Sequence, residues 1–128
     1  QEGDGDMRFN ELPPELADAP RPVLKALLHP YRRQLLRALR QVRVLSAVEV
    51  AKSGLLPCGV SDAAYHLTVL TDVGLAHREP PAPDGGPFRY SKLDSLPVQP
   101  LVRFLYRTKD EDQKRIETGR LRGPLDEA

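Results

Sequence analysis

Residues that start and stop helices are closely spaced in this sequence, and this spacing constrains its fold more than any other feature. Pro30 starts one helix and ends the helix before it, because proline is tolerated in a first turn but not inside a helix. Ser46 and Glu49 have the spacing of a capping box, which starts another helix. Gly54 and Gly74 can adopt the left-handed conformation that ends many helices. The pattern predicts several short helices rather than one or two long ones.

Apolar residues recur at the helical period within these segments and define the faces that we expect to be buried. The first helix begins near Arg21, and the second runs from Pro30 to about Val42 with an apolar face of Tyr31, Leu35, Leu39 and Val42. A different face of the second helix carries a basic stripe, formed by Arg33, Arg37 and Arg40. A further helix is predicted over residues 61–73, with Ser61 as its cap.

Short extended segments and a final helix follow these helices. Residues 75–79 and 88–91 are interpreted as two short strands around the proline-rich loop 80–87, in which Asp-Gly-Gly favours a turn. A helix is predicted from about Val98 to Thr118, with an apolar face in its first half and a wholly polar stretch from Thr108 to Arg115. The predicted fold class is therefore mainly α with a small β-hairpin.

Both ends of the chain are predicted to be flexible. Residues 1–20 contain glycine, aspartate and proline with little hydrophobic periodicity, and residues 119–128 are interpreted as a frayed tail. Residues 1–6 are interpreted as an appended segment, with Met7 as the natural start. The predicted domain spans residues 21–118, a length typical of one domain.

Charge is distributed unevenly along the chain, although the net charge is only +1. Six acids and one base lie among the first 18 residues, whereas residues 21–43 contain seven bases and no acid. Such an asymmetry indicates an anionic partner for the basic segment. The alternative is that the basic side chains form a solvated helix face.

Several function classes have little support in the sequence. A single cysteine cannot form an internal disulfide, and no apolar run approaches the ~20 residues of a membrane span, so a cytoplasmic protein without a membrane segment is predicted. No glycine-rich phosphate loop, nucleophile motif or histidine–carboxylate pattern indicates an enzyme. Cys58, His66 and His77 fall short of the four ligands of a structural zinc site, so neither a metal nor another cofactor is predicted.

Three segments stand in a recognisable order: residues 28–36 (LHPYRRQLL), 64–70 (AYHLTVL) and 73–76 (VGLA). Together they resemble the arsenic-repressor (ArsR-like) family of bacterial regulators. In that family a Pro-x-Arg-Arg segment opens the second helix, His-Leu-x-x-Leu lies in the recognition helix, and Gly-Leu starts the wing. The similarity covers residues 21–92, and the joint spacing of the three segments makes it specific.

The resemblance implies a winged helix-turn-helix with flanking N- and C-terminal dimerisation helices. It implies a homodimeric transcriptional regulator, a repressor, that binds specific double-stranded DNA sequences. Residues 61–73 would then form the recognition helix in the major groove, and residues 76–91 a wing on phosphates or the minor groove.

The residues predicted to contact DNA follow from this arrangement. Hydroxyl groups can bond to bases or phosphates, and an aspartate can accept a hydrogen bond from cytosine N4. The predicted reading residues on the recognition helix are Ser61, Asp62, Tyr65 and Thr68. The predicted phosphate contacts are Arg78 and Arg89 in the wing, with Arg33 and Arg37 of the basic stripe.

The predicted recognition helix is poor in positive charge. Between Lys52 and Arg78 there is no lysine or arginine, although basic residues commonly occupy the positions of Thr68 and Thr71 in the family that it resembles. Phosphate neutralisation supplies most non-specific affinity for DNA. The alternative is therefore a winged-helix protein-interaction module with a degenerate DNA-binding face, and an unidentified protein or small-molecule effector is a further candidate partner.

Apolar residues of the two outer helices are predicted to form a two-fold dimer interface. In the final helix, Phe104 and Tyr106 widen the apolar surface beyond a single stripe. The alternative is that this stripe only covers the core of the monomer. The predicted interface residues are Val23, Leu24, Leu27, Leu101, Val102, Phe104 and Leu105. Two-fold symmetry would set the two recognition helices about one DNA turn, ~34 Å, apart.

Overall fold

The computed structural model describes residues 13–118 of the 128-residue chain. Its α-helices are α1 (Arg21–Leu27), α2 (Pro30–Leu39), α3 (Ala47–Ser53), α4 (Val60–Asp72), α5 (Val98–Arg107) and α6 (Lys109–Thr118). Its strands are β1 (Leu45–Ser46), β2 (Ala76–Arg78) and β3 (Arg89–Lys92). The strands form an antiparallel sheet in the order β1-β3-β2. A mainly helical fold with a small hairpin is confirmed, and β1 is an additional strand that was not predicted.

The predicted capping residues position α3 as expected. The Ser46 hydroxyl accepts a hydrogen bond from the Glu49 amide at 3.2 Å, and the Glu49 carboxylate accepts one from the Ser46 amide at 2.9 Å. Gly54 ends the helix with a φ of +78°, a conformation that costs a glycine little because it has no Cβ. Both signals act between near neighbours in sequence, so a local pattern suffices to predict them.

Two predicted helix boundaries differ in the structure. The N-cap of α4 is Gly59, and no side chain caps the helix, so Ser61 lies inside its first turn. Helix α2 ends at Leu39, and Val42 beyond it is exposed rather than buried. The periodicity of apolar residues continues three residues past the end of the helix, although the Val42 amide still donates a hydrogen bond to the Ala38 carbonyl at 3.0 Å.

One hydrophobic core joins the helices and the sheet. Fully buried side chains from separate elements meet in it, including Leu27, Leu35, Leu67, Leu75 and Phe104. Burial of each such side chain contributes about 1.5–3 kcal/mol to the stability of the fold. No helix within residues 13–118 combines the length and the apolar character needed to cross a bilayer.

Most residues predicted to form a dimer interface lie in this core. Only Val102 remains partly exposed, and the other six are at most 8% exposed: Val23, Leu24, Leu27, Leu101, Phe104 and Leu105. The physical reason is that α1 packs against α2, and that α5 packs against α2, α6 and a 3₁₀ turn at Pro14–Leu16. The apolar stripe is therefore used within one chain, and the prediction for those six residues is wrong.

The last part of the predicted leader, residues 13–20, packs against the domain. Leu16 is 3% exposed within the hydrophobic core. Glu15 accepts two hydrogen bonds from the Arg107 guanidinium of α5, at 2.6 and 3.0 Å. The prediction of a flexible segment is therefore wrong for residues 13–20. Residues 1–12 of that leader and the predicted tail, 119–128, lie outside the described residues.

The predicted final helix is divided into two helices at Thr108. Its hydroxyl donates a hydrogen bond to the Phe104 carbonyl at 2.9 Å, and α6 begins at the next residue. The sequence of α6 is strongly polar, yet Asp112 and Ile116 are buried. Helix α6 therefore has an inner face, which packs against α2 and α5.

Arg33 and Arg37 are buried in an ionic cluster with Asp112. Arg33 donates to both carboxylate oxygens, through Nε at 2.7 Å and Nη2 at 2.6 Å. Arg37 donates to Oδ2 at 2.5 Å and, through Nε, to the Leu105 carbonyl at 2.7 Å. The two arginines are 0% and 5% exposed. The prediction that they contact phosphate is wrong, because both guanidinium groups point into the protein.

Replacing Asp112 by asparagine is expected to destabilise the fold by about 3–5 kcal/mol, because two buried guanidinium groups would lose their counter-charge. Urea unfolding followed by circular dichroism measures the loss. Asp110→Asn, on the exposed side of the same helix, is the matched control, with an expected change below about 1 kcal/mol. Equal losses in the two variants would contradict the role assigned to the cluster.

Candidate nucleic-acid interface

Helix α4 has a buried face and an exposed face. Its buried side chains, which pack into the core, are Ala63, His66, Leu67 and Leu70. Ser61, Asp62 and Tyr65 are exposed, Tyr65 at 59%, and Thr68 is half-buried. Ser61, Tyr65 and Thr68 follow the helical repeat of three and four residues, so they share one face. The structure thus brings the four predicted reading residues together at the surface.

A cluster of aromatic rings packs beneath the exposed face of α4. The Arg32 Nε–H donates a hydrogen bond to His66 Nδ1 at 3.2 Å. The His66 ring lies between three others, with centroid distances of 4.7 Å to His29, 5.2 Å to Tyr65 and 5.6 Å to Tyr31. The rings of this cluster come from α4 and from the start of α2, so their contacts fix the position of Tyr65 relative to α2.

Both histidines of this cluster are neutral near pH 7. Burial lowers the pKa of His29 to about 3 and the pKa of His66 to about 4, and the positive charge of Arg32 acts in the same direction. His29 Nδ1 accepts a hydrogen bond from the Tyr31 amide, as His66 Nδ1 does from Arg32. The single ring proton of each neutral histidine is therefore on Nε2, which remains a donor.

The β2–β3 hairpin follows α4 directly, and β2 packs against it. Arg78 and Arg89 are both exposed on this hairpin. The Arg78 guanidinium lies 4.8 Å from the centroid of the Phe88 ring and 5.9 Å from that of Tyr90. Cation–π contacts of this kind hold an arginine in place without neutralising its charge. The two predicted phosphate contacts of the hairpin are thus available to an anion.

The hairpin loop, residues 79–88, is closed by a turn. The Gly85 amide donates to the Ala82 carbonyl at 3.0 Å, and Gly85 has a φ of +74°. The Asp84 carboxylate accepts a hydrogen bond from the Gly86 amide at 3.1 Å. Four prolines occupy the eight positions from 80 to 87 and restrict the backbone further. The prolines therefore limit the conformations of the loop, which lies beside the start of α3.

A cleft between α1 and α4 adds positive charge beside the exposed face of α4. We call it the α1–α4 cleft, and its lining residues are Pro22, Lys25, Ala26, His29, Arg32, Tyr65 and Val69. Sequence reasoning did not select Lys25 or Arg32 as site residues. Both belong to the basic segment 21–43, but only the folded structure brings that segment beside α4.

Cys58 and His77 do not belong to this surface cluster. Burial raises the pKa of the Cys58 thiol, and the nearby Asp62 carboxylate acts in the same direction. His77 is exposed on β2. Within the described range 13–118, no group of three or more histidine, cysteine, aspartate or glutamate side chains is arranged to hold a metal ion.

Stability is expected to fall as the pH is lowered from about 6.5 to about 4. Unfolded histidines bind protons near their ordinary pKa of 6.5, whereas His29 and His66 in the folded chain do so only at about 3 and 4. Within that window each contributes a slope of up to about 1.4 kcal/mol per pH unit. Urea unfolding at a series of pH values measures it. His66→Gln should reduce the pH dependence of the free energy of unfolding, whereas the exposed control His77→Gln should leave it unchanged. Identical pH profiles for the two variants would contradict the role assigned to His66.

No family model matches the chain, and no curated protein and no solved structure matches it either. Function is therefore inferred from the exposed face of α4, the hairpin arginines and the α1–α4 cleft.

Proposed function

We propose that this protein is a winged helix-turn-helix DNA-binding protein in which α3 and α4 form the helix-turn-helix and the β2–β3 hairpin is the wing. The observation that carries the proposal is the exposed polar face of α4 standing beside a hairpin with two exposed arginines. The sheet order β1-β3-β2 supports it, because β1 ties the hairpin to the start of α3. Such a unit can insert one helix in the major groove while the hairpin contacts the backbone.

The two parts of this surface have different roles in binding. Ser61 and Thr68 offer hydroxyl groups to base edges or phosphates, and Asp62 can accept a hydrogen bond from cytosine N4. The Asp62 carboxylate repels phosphate groups. Helix α4 would therefore bind in an orientation in which its N-terminal end faces base edges rather than the backbone. Arg78 and Arg89 would neutralise phosphates on either side of the groove, which supplies affinity without sequence preference.

The regulator would act as a homodimeric repressor with no catalytic role. The core residues of α5 are not available to a second chain, but its outer face exposes Val98 and Tyr106 beside the half-buried Val102. The charge of the adjacent Arg107 is compensated by Glu15. An apolar strip of this kind suits a second copy of the same helix across a two-fold axis.

A protein-interaction module is the second candidate function. The observation that favours it is that α4 bears no lysine or arginine, whereas Asp62 and the 59% exposed Tyr65 lie on its outer face. Exposed tyrosine is common at protein interfaces. The two candidates differ in how binding responds to salt, since only DNA releases condensed counterions.

The chain is expected to bind mixed-sequence duplex DNA with an affinity that falls steeply as salt is raised, measured by fluorescence anisotropy. The double variant Arg78→Ala with Arg89→Ala should reduce the log–log slope by about 2 for each protomer, because two phosphate contacts are lost.

Lys114→Ala, which removes a positive charge from the exposed surface of α6, is the charge control. Its slope should equal that of the unaltered chain. An absence of binding at low salt would contradict the DNA proposal and favour the protein-interaction module.

The dimer is expected to dissociate when Tyr106 is replaced by glutamate. The introduced carboxylate would be desolvated at the interface, and Lys109, whose Nζ lies 5.8 Å from the Tyr106 ring centroid, would offset only part of that penalty. A net cost of about 3 kcal/mol raises the dissociation constant about 100-fold. Sedimentation velocity at micromolar concentration measures the effect. Val42→Glu, at an equally exposed apolar residue beyond α2, is the control and should leave the dimer intact. A monomeric unaltered chain would overturn this part of the proposal.

A further inference from the structure

We propose that the hairpin, rather than α4, gives this protein its sequence preference for duplex DNA. In this proposal Phe88 holds the Arg78 guanidinium in a position to enter the minor groove at A·T base pairs. The inference rests on the proposed DNA-binding function and adds a contact with base edges to the charge of Arg78. Arg78 would touch the bases, and Phe88 is its positioning residue.

Helix α4 carries few of the side chains that discriminate between base pairs. Arginine and lysine bind guanine at two acceptors, and asparagine and glutamine bind two atoms of adenine. None of these four residue types occurs within Val60–Asp72. Serine and threonine hydroxyl groups bond to several different bases. A helix of this composition discriminates weakly in the major groove, so a strong sequence preference must come from another element.

The Arg78 guanidinium is in contact with two aromatic rings. Its Cζ atom lies 4.8 Å from the centroid of the Phe88 ring and 5.9 Å from that of the Tyr90 ring. Arg78 and Tyr90 are paired across β2 and β3, so their side chains share one face of the sheet. Tyr90 is 3% exposed and Phe88 is 54% exposed. The guanidinium therefore lies where this face of the sheet passes from the core to the surface.

The positive charge of Arg78 remains available to a ligand. No ion pair joins Arg78 to an aspartate or glutamate among residues 13–118. A neutral ring attracts a cation without cancelling its charge. The ring contact also restricts the side chain before binding, which reduces the entropy lost when the guanidinium is placed on a ligand. Phe88 thus orients Arg78 for binding.

Arg89, the other exposed arginine of the hairpin, lies on the opposite face of the sheet. Successive residues of a strand point to opposite faces, so Arg89 does not share the face of Tyr90 and Arg78. Arg89 instead lines a cleft together with Glu49 and Asp84, whose carboxylates lower the positive potential around it. The two arginines are therefore suited to different contacts, Arg78 to a groove and Arg89 to the backbone beside it.

The minor groove is the groove that the hairpin can reach. Strand β2 begins four residues after the end of α4 and packs against that helix. With α4 in the major groove, a side chain on the hairpin meets the neighbouring phosphate backbone and the minor groove beyond it. Between the two backbones the charge of Arg78 would continue to contribute to the salt dependence of binding.

A guanidinium group in the minor groove favours A·T pairs over G·C pairs. A·T pairs present only acceptors there, adenine N3 and thymine O2, whereas G·C pairs add the guanine N2 amino group. Because a guanidinium is a donor only, that amino group opposes its approach. A·T-rich segments also have a narrow minor groove with an enhanced negative potential, which attracts arginine. The ligand assigned to Arg78 is therefore an A·T-rich minor groove.

The test compares binding to two duplexes of equal length, one of G·C pairs and one in which inosine replaces every guanine. Inosine keeps the O6 and N7 acceptors of the major groove and lacks only the amino group of the minor groove. We expect the unaltered chain to bind the inosine duplex roughly tenfold more tightly, measured by fluorescence anisotropy. A protein that reads only the major groove would bind both duplexes equally.

Two variants separate the roles of the pair. Arg78→Lys keeps the charge but should reduce the preference to less than about twofold, because an ammonium group is compact and strongly hydrated. Phe88→Ala should reduce the preference as well and leave the log–log salt slope unchanged, since no charge is lost. The matched controls are Arg89→Lys on the opposite face and Leu93→Ala, an exposed apolar residue beyond β3, and both should keep the preference. Circular dichroism checks that the variants fold, which the exposed positions favour.

Each alternative result overturns a defined part of the proposal. If the unaltered chain binds both duplexes equally well, the minor-groove assignment is overturned while the DNA-binding function stands. If Arg78→Lys keeps the preference, or Arg89→Lys reduces it as much, Arg78 is not the residue that carries it. If Phe88→Ala weakens binding to both duplexes by the same factor, the positioning role of Phe88 is overturned. If the unaltered chain does not bind duplex DNA at all, the proposed function fails and this assignment fails with it.

Discussion

The buried pairing of two arginines with one aspartate is the interaction on which the rest of this fold depends. Arg33 and Arg37 of α2 share the Asp112 carboxylate of α6, and this cluster ties α6 and the end of α5 to the same helix. The other end of α2 carries the ring cluster that supports α4. One helix thus connects the C-terminal helices with the exposed face of α4, and its position is set by charge as well as by apolar packing.

Sequence analysis predicted those parts of the fold that depend on neighbours in the chain. The capping box of α3 and its terminal glycine involve residues only a few positions apart, so their pattern is visible locally. The ionic cluster joins residues 79 positions apart, and nothing near Arg33 indicates a carboxylate partner. For the same reason periodicity could locate the apolar stripe of α5 but could not tell whether it faces its own core or a second chain.

The residues of the candidate site fall into two groups: those that lie on a single local element, and those that only tertiary packing brings to the site. Of the four residues predicted to be exposed on α4, Ser61, Asp62 and Tyr65 are exposed and Thr68 is half-buried, and the hairpin arginines are exposed as well. Each belongs to a single local element, so its position on a surface can be predicted locally. Lys25 and Arg32 were missed, since they join the site only when α1 and α2 fold against α4. Arg33, one position along α2 from Arg32, was selected instead, yet a step of one residue turns a helix by about 100° and here separates surface from interior. Long-range packing decides which cations a ligand can meet.

The stiffness of the hairpin loop has a consequence for how this protein would meet a long polyanion. A glycine-rich loop must lose conformational entropy when it settles on a ligand, and that loss subtracts from affinity. With four of the eight residues from 80 to 87 being proline, most of this ordering has already taken place during folding. A loop of this composition keeps more of its contact energy as affinity, but it adapts less to partners of different shape.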